Sequence, residues 1–468
     1  MNRNKEFAKN TIILFIGKFA TQFMSLLLLP LFTHFLITSD YGYVDLLQTY
    51  ISLFYPVLTL RLDSATFRFL IESRKDKEKQ TKYISNIFSL LLVILLLTIG
   101  ISIIIPLFIK IKYYYYIVIN ILVLMMTGVL MQFLRGLGKN KKYSIASIIT
   151  GFTNLFINTL LIIKFHFGAN SILISSIISN IICMIYIFFE LKLWKHIRIK
   201  LNKDTTKELL SYSIPMIPNA LSWWIINVSD RTIITTFINT AVNGIYTVSC
   251  KFSNILNSIF TIFNMSWQET TALHINDEDK DEFFSNMING IVILFGMISL
   301  MIVGILPFVY NIVIGSDYLE SYKYIPLLLY ANVGNVFATL IGAIYLALKK
   351  TKEIATTTII SAIINIVVDL ILIKFIGLYA AIISTIISNL YLCIYRFFDS
   401  KKYINLKLNI KKLLLFSIIY IISTLLYLYN NIYLNIFNIL FILLFSYILN
   451  KRMIGIIKNK IYRKIKGV

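Results

Sequence analysis

The sequence predicts an all-α polytopic membrane protein with about fourteen transmembrane helices, built as two pseudo-symmetric six-helix lobes plus two C-terminal helices. Three observations predict it. Hydrophobic residues make up 58% of the 468 residues, charged ones only 14%, and mean hydropathy is +0.77. Apolar runs of about 20 residues, enough to cross a hydrocarbon core of roughly 30 Å, recur along the whole chain. The chain also repeats itself with a period of six helices.

The helices are expected near 11–36, 42–60, 84–109, 114–134, 144–163, 171–191, 213–238, 242–262, 286–309, 324–347, 354–374, 378–397, 413–429 and 432–449. Arg3, Lys5 and Lys9 precede the first run as in a signal peptide. That run is too long and lacks a small-residue cleavage site, so it is read as a retained anchor. With an even helix number, one face collects 37 of the 45 Lys and Arg residues, in short segments between spans. The other face holds Lys110, Lys112, Lys164, Lys323 and Lys374. That asymmetry puts both termini in the cytoplasm. It also explains the net charge of +23 without nucleic acid, because the cations sit in orientation segments. Cys183, Cys250 and Cys393 all fall inside apolar runs, with neither a disulfide framework nor a metal spacing.

The repeat is read from three matches in one order. ISSIISN (174–180) recurs as ISTIISN (383–389), Asn154-Leu-Phe-Ile-Asn158 aligns with Asn365-Ile-Val-Val-Asp369, and FLITSDYG (35–42) aligns with FINTAVNG (237–244). Six is even, so both copies enter the membrane in the same direction, which predicts a site between two parallel repeats. The domains expected are 1–205 and 206–400, followed by 401–468 with two added helices and a basic cytoplasmic tail. No loop is large enough for an extramembrane catalytic domain. The acidic stretch from His274 to Glu282 reads as a solvated connection.

Charge inside a span costs on the order of 3 kcal/mol, so each embedded ionisable residue is a site candidate. Lys251 lies about 13 Å into its helix at 1.5 Å per residue, on one face with Thr247, Asn254, Ser258 and Thr261. Lys18 shares a face with Gln22 and Ser25, and lies near enough to the cytoplasmic end to reach the interface instead. Asn219, Ser222, Trp223, Asn227 and Asp230 share another face, and the repeat places Arg231 well inside the same helix. The second helix carries Asp45, Gln48, Thr49, Ser52 and Thr59 on one face, with Asp45 and Thr49 aligned to Thr247 and Lys251. These faces point to a central cavity lined by helices 1, 2, 7 and 8. Arg61 stands at its mouth, where it could receive an anionic headgroup. Asn154, Asn158, Asn365 and Asp369 read as interhelical hydrogen-bonding groups, with Asp369 also a candidate for ion coupling alongside Asp45 and Asp230.

The opening GKFATQFMSLLLLPLFTHFLITSDYGYVDLLQTY, the segment LTLRLDSATFRFLIE and YLESYKYIPLLLYAN (318–332) resemble Wzx-type polysaccharide-unit flippases of the multidrug/oligosaccharidyl-lipid/polysaccharide (MOP) exporter superfamily. The resemblance implies two lobes that open alternately to either side. They would carry undecaprenyl-diphosphate-linked oligosaccharide outward across a bacterial cell membrane, with no cofactor, no metal and no enzymatic step. It also implies cations on helices 1 and 8 in the cavity, which map onto Lys18 and Lys251. The implied partners are the lipid-linked sugar, membrane lipid, and the polymerase and glycosyltransferases of the same pathway. Three embedded cations, Lys18, Arg231 and Lys251, suit a diphosphate. Moving one negative charge outward gains about 2.3 kcal/mol per 100 mV when the interior is negative. The alternatives are an ion-coupled drug or cation antiporter of the same superfamily, for which acidic residues should dominate the cavity, and a membrane polymerase or glycosyltransferase, for which a large outer loop or paired surface carboxylates would be expected.

Overall fold

The computed structural model describes residues 3–195, 197–199, 201–348 and 350–465, with side chains from Gly17 onward except at positions 18, 223, 226, 227, 351 and 450–465. Among the described residues the chain is helical throughout, without a strand. A helix occupies each of the fourteen expected intervals, and two short ones occupy segments expected as loops. Among the described residues, ten helices are long and apolar enough to cross a membrane. Length and composition alone do not confirm the count of fourteen. Two of the helices outside the ten, α2 (Thr38–Leu58) and α10 (Thr240–His274), carry polar faces.

By their internal contacts, residues form two compact units, Met1–Thr232 and Ile233–Val468. The first unit holds α1 (Arg3–Phe35), α2, α3 (Leu62–Glu72), α4 (Lys77–Ile104), α5 (Tyr114–Gly136), α6 (Asn140–Thr159), α7 (Asn170–Leu191), α8 (Lys203–Ser213) and most of α9 (Ile217–Phe237). Its framework is α1 on α6, α6 on α7 and α5 on α7. Gly17 and Gly151 bring α1 and α6 together: an added Cβ would lie 2.9 Å from Ser144 Cβ at the first and 2.8 Å from Met24 Sδ at the second.

The second unit holds α10, α11 (Lys280–Val313), α12 (Ile325–Ala347), α13 (Thr351–Ile376), α14 (Tyr379–Ser400), α15 (Ile410–Tyr429) and α16 (Ile432–Ile465). Here α13 packs on α14, α12 bridges α10 and α14, and α15 and α16 both pack on α11. The expected ends of the helices at 242–262 and 286–309 fall short, because α10 and α11 run on as amphipathic helices beyond their apolar windows. Only Ile275–Asp279 separates them.

The aligned motifs become aligned structure. The α1–α2 junction falls between Phe35 and Thr38, and the α9–α10 junction at the matching Phe237 and Thr240. Gly168 and Gly377, which close the matching LIIKFHFG and LILIKFIG segments, both have left-handed φ, +58° and +55°, the conformation glycine adopts at little cost. In the first unit Asn154 and Asn158 both donate to Ser175 Oγ across α6 and α7. In the second, Asn365 donates to the matching Ser384 Oγ at 3.2 Å across α13 and α14. These asparagines satisfy one another's helices in a medium that offers no water.

A second correspondence joins each connector to a helix. The N–H groups of Arg198 and Asn202 donate to Ser85 Oγ (2.9 Å) and Asn86 Oδ1 (2.7 Å) on α4. Those of Asn405, Lys407 and Asn409 donate to Asp281, Ser285 and Asn289 on α11 at 3.1, 2.9 and 2.9 Å. In the second connector, alternate residues thus meet side chains one helical turn apart. Both segments follow the last helix of their repeat, so the hydroxyls and amides on α4 and α11 fix where each repeat ends.

Arg396, counted in the sequence among connector cations, is 6% exposed inside the second unit. Its guanidinium donates to Thr357 Oγ1 (3.2 and 3.1 Å), Thr358 Oγ1 (2.9 Å) and Ala338 O (3.1 Å). Both threonine hydroxyls spend their own protons on carbonyls one turn back, leaving lone pairs for the arginine. One side chain thereby ties α12, α13 and α14. Arg396→Ala should lower stability by about 3 kcal/mol, since it strands several acceptors and opens a cavity. Arg396→Lys should recover less than half, because one ammonium cannot reproduce the planar fork. Thermal unfolding of purified protein in detergent checks both.

Candidate functional site

The polar face of α2 and the first four turns of α9 meet within the first unit. Arg231 Nε donates to Asp45 Oδ2 at 2.7 Å, with both side chains less than 15% exposed. Two turns earlier on α9, Trp224 Nε1 donates to Thr49 O at 3.1 Å and Ser52 Oγ at 3.0 Å. Residues 224 and 231 are seven apart and so lie on one helical face. Asp45, Thr49 and Ser52 form the matching face of α2, where Thr49 Oγ1 also donates to Asp45 O. Three of the five residues of the expected polar face of α2 are therefore engaged by α9. Asp230, one residue from Arg231, is buried.

Helix α9 begins at Ile217, after a 3-10 turn over Ile214–Met216 and the separate helix α8, rather than at the expected 213. Pro215 and Pro218 stand in these first turns, where a missing N–H costs nothing. Asn219 is exposed near this start, Gln48 on α2 is exposed, and Gln22 on α1 is half-buried. Lys18 and Trp223 lie outside the described residues.

At the end of α2 the chain turns through Leu60 and Arg61, both left-handed at φ +51° and +54°. A non-glycine residue adopts that conformation at a cost of order 1 kcal/mol. The turn brings Arg61 Nη2 to Ser64 Oγ at 2.6 Å and Arg61 Nε to 3.6 Å from Asp63 Oδ1. Burial pushes the Asp63 carboxyl above its ordinary pKa, against the opposing pull of Arg61. Arg61 is thus partly committed to its own turn and separate from the Asp45–Arg231 pair.

In the second unit the expected stripe on α10 divides. Thr247 is buried and Lys251 half-buried, whereas Asn254 and Thr261 are exposed. An adjacent side of α10 is fixed on α12 through Asn257 Nδ2 to Asn332 Oδ1 (3.1 Å) and Asn332 Nδ2 to Ser253 O (3.0 Å). Asp369 is fully buried on α13, one turn beyond Asn365. Among the described residues, no group of three or more His, Cys, Asp or Glu could hold a metal ion.

Sequence reasoning missed two residues of this kind. Trp224 lies beside the polar face that contains Trp223, and its spacing of seven from Arg231 is the signal that marks the shared side. Arg396 was assigned to a connector, although the match of IYRFF (394–398) with IYIFF (185–189) pairs it with Ile187, which is fully buried.

An all-helical chain with apolar spans and an ion pair set between two of its more polar helices is the architecture of a membrane transporter. The family described as polysaccharide biosynthesis protein matches residues 7–267, and the chain belongs to that family. The fold is similar to that of the lipid II flippase MurJ in its inward closed conformation, with a TM-score of 0.70 at 18% identity, covering 95% of this chain and 100% of the other. It is also similar to an inward-facing multidrug resistance MATE family transporter of the MOP superfamily (TM-score 0.64, 15% identity, 81% and 97% covered). A third similar structure is a MOP superfamily transporter from Pyrococcus furiosus (TM-score 0.60, 14% identity, 85% and 95% covered). No curated protein matches.

Two measurements check the site's energetics. A double-mutant cycle on Asp45→Ala and Arg231→Ala should give a coupling of about 1–2 kcal/mol in thermal or chemical unfolding. The Asp63 prediction concerns pH. Because folding disfavours its carboxylate, Asp63 favours the folded state below its unfolded pKa, and that contribution is lost as pH rises through its folded pKa. The thermal midpoint of Asp63→Asn relative to wild type should therefore climb between pH 4 and pH 7.

Proposed function

We propose that the protein is a flippase, moving undecaprenyl-diphosphate-linked oligosaccharide from the cytoplasmic to the outer face of a bacterial cell membrane for cell-surface polysaccharide synthesis. The observation that carries this reading is the Arg231 guanidinium, held at 2.7 Å by Asp45 between two helices of a chain that belongs to a polysaccharide biosynthesis family. A guanidinium kept charged in a low-dielectric site is suited to a diphosphate, which it can grip through two parallel hydrogen bonds. Asp45 lowers the cost of holding that charge when no cargo is present.

In this reading the six-helix repeats at 1–205 and 206–400 move against each other, with fourteen crossings and both termini inside. Lys18, Arg231 and Lys251 supply positive charge, while Gln22, Asn219, Trp223 and Asn254 offer hydrogen bonds and stacking to the sugar. Arg61 meets the headgroup at the cytoplasmic mouth. Asp45, Asp230 and Asp369 are the carboxylates available to couple an ion. The prenyl chain stays in lipid, so translocation breaks no covalent bond and needs no cofactor. The membrane potential assists, since each negative charge moved outward gains about 2.3 kcal/mol per 100 mV. The polymerase and glycosyltransferases of the same pathway would act on either side of this step.

The test is substrate accumulation in a deletion strain, rescued with wild type, Arg231→Ala or Lys251→Ala. Undecaprenyl-linked oligosaccharide should build up on the cytoplasmic face. Wild type should clear it, and each variant should fall at least about tenfold short, the equivalent of one lost charge-assisted contact. A strain that accumulates no lipid-linked sugar and instead becomes sensitive to cationic drugs would transfer the chain to the antiporter class.

A further inference from the structure

The second unit contains a groove of about 260 Å³ between α12, α14 and α15, closed at its base by Val292 of α11. Its walls include Gly334, Phe337, Cys393, Leu413 and Phe416, and its rim includes Ile394 and Phe398, both more than half exposed. The polar groups within it are already engaged. Asn389 donates to Ala331 O at 3.0 Å, Cys393 Sγ to Gly334 O at 3.2 Å, and the Tyr330 and Ser417 hydroxyls meet at 3.2 Å. A water molecule needs two or more polar partners, and an apolar cavity of only about 150 Å³ already prefers a hydrocarbon guest. The groove is therefore a hydrocarbon site.

Its length and flanks say which hydrocarbon. Along α14 the lining runs from Ile386 to Phe398, twelve residues or about 18 Å at 1.5 Å each. That is close to half of a hydrocarbon core of roughly 30 Å, the depth of one leaflet. An acyl chain of a leaflet lipid fits that depth, whereas a long polyprenyl chain would overrun it. At the Phe398 end the connector 401–412 supplies five lysines. Lys402 is committed to Asp399 at 2.6 Å and Lys412 to Leu449 O at 2.7 Å. Lys401, Lys407 and Lys411 are exposed, with no carboxylate partner among the described residues. Lys401 lies over the Phe397 and Phe398 rings at 4.8 and 5.3 Å, which places it directly at the groove's mouth. Leu408 lines both the groove and a polar cavity that includes Lys407 and Lys411.

We propose that this groove binds an anionic phospholipid of the cytoplasmic leaflet, with one acyl chain between α12, α14 and α15 and its phosphate held by Lys401, Lys407 and Lys411. Basic pockets between helices on the cytoplasmic side recognise such headgroups, whereas a zwitterionic lipid brings a phosphate whose charge its own choline balances and leaves the lysine charge unneutralised. The proposal rests on the cytoplasmic placement of residues 401–412 in the flippase reading. It gives this unit a lipid requirement of its own, separate from the cargo.

The test uses the full-length protein in detergent. Retention of phosphatidylglycerol and phosphatidylcholine is measured by native mass spectrometry, and a phosphatidylglycerol carrying a photoreactive acyl chain is cross-linked in nanodiscs. Phosphatidylglycerol should be retained about tenfold over phosphatidylcholine, with cross-links in residues 386–398 and 413–417. The triple variant K401E/K407E/K411E, altered only at exposed positions, should reduce phosphatidylglycerol to the phosphatidylcholine level while its thermal midpoint in detergent stays within a few degrees. Equal retention of the two lipids by wild type, or cross-links confined to other helices, would overturn the proposal. Displacement of the cross-linked lipid by undecaprenyl phosphate at equal concentration would also overturn it and give the groove to the cargo. Labelling of Lys401→Cys by a membrane-impermeant thiol reagent, from the cytoplasmic side of vesicles only, separates an empty groove from a wrong orientation, because Cys183, Cys250 and Cys393 are all buried.

Discussion

A polar group inside a bilayer has no water to turn to, and the fold is organised by where each such group finds a partner. The pair of Asp45 with Arg231 is the sharpest case. Either charge alone on an apolar helix costs several kcal/mol, and together they dock α9 onto α2 at a fixed rotation, with Trp224 setting the same face two turns away. The asparagines of α6 and α13 do the same for neutral groups, each meeting a serine on the next helix. Arg396 takes the rule furthest, gathering two hydroxyls and a carbonyl from two neighbouring helices in place of a carboxylate.

These partnerships separate structural from functional polarity. The side-chain N–H groups of Asn154, Asn158 and Asn365 are engaged inside their own helix pairs. Arg61 is partly spent on the turn that presents it. Asn219, Gln48 and Asn254 are exposed, the last two on the polar faces of α2 and α10. Arg231 stands between the two groups. It is paired with Asp45 at 2.7 Å, yet neither side chain is fully buried. The chain belongs to a polysaccharide biosynthesis family, and the flippase proposal gives this embedded cation its role.

Much of this was legible in the sequence, for reasons that particular residues make clear. Hydropathy located the ten apolar spans, since a span must be apolar over about 20 residues whatever it packs against. The repeat was legible because its matched residues are the ones that cross-brace helices: Ser175 and Ser384 receive the asparagines, and Gly168 and Gly377 close the preceding segments. Helix ends were not legible. Helices α10 and α11 continue past their apolar windows as amphipathic helices, and α3 and α8 are short and polar enough to read as loops. Arg396 was hidden by its position near a helix end, where a cation usually reports orientation. The engagement of Asp45 by Arg231 could not be read from periodicity, which gives the face of a helix but not what lies opposite.

The central claim is that an embedded cationic site carries a lipid-linked diphosphate across the bilayer. The most direct measurement is translocation of fluorescent undecaprenyl-diphosphate oligosaccharide in vesicles containing the purified protein, with and without an imposed potential. Transport accelerated by a potential negative on the side the cargo leaves, and abolished when Arg231 is replaced by glutamine, is the result expected. Vesicles that fail to move the labelled lipid while exchanging a cationic dye for protons would contradict it.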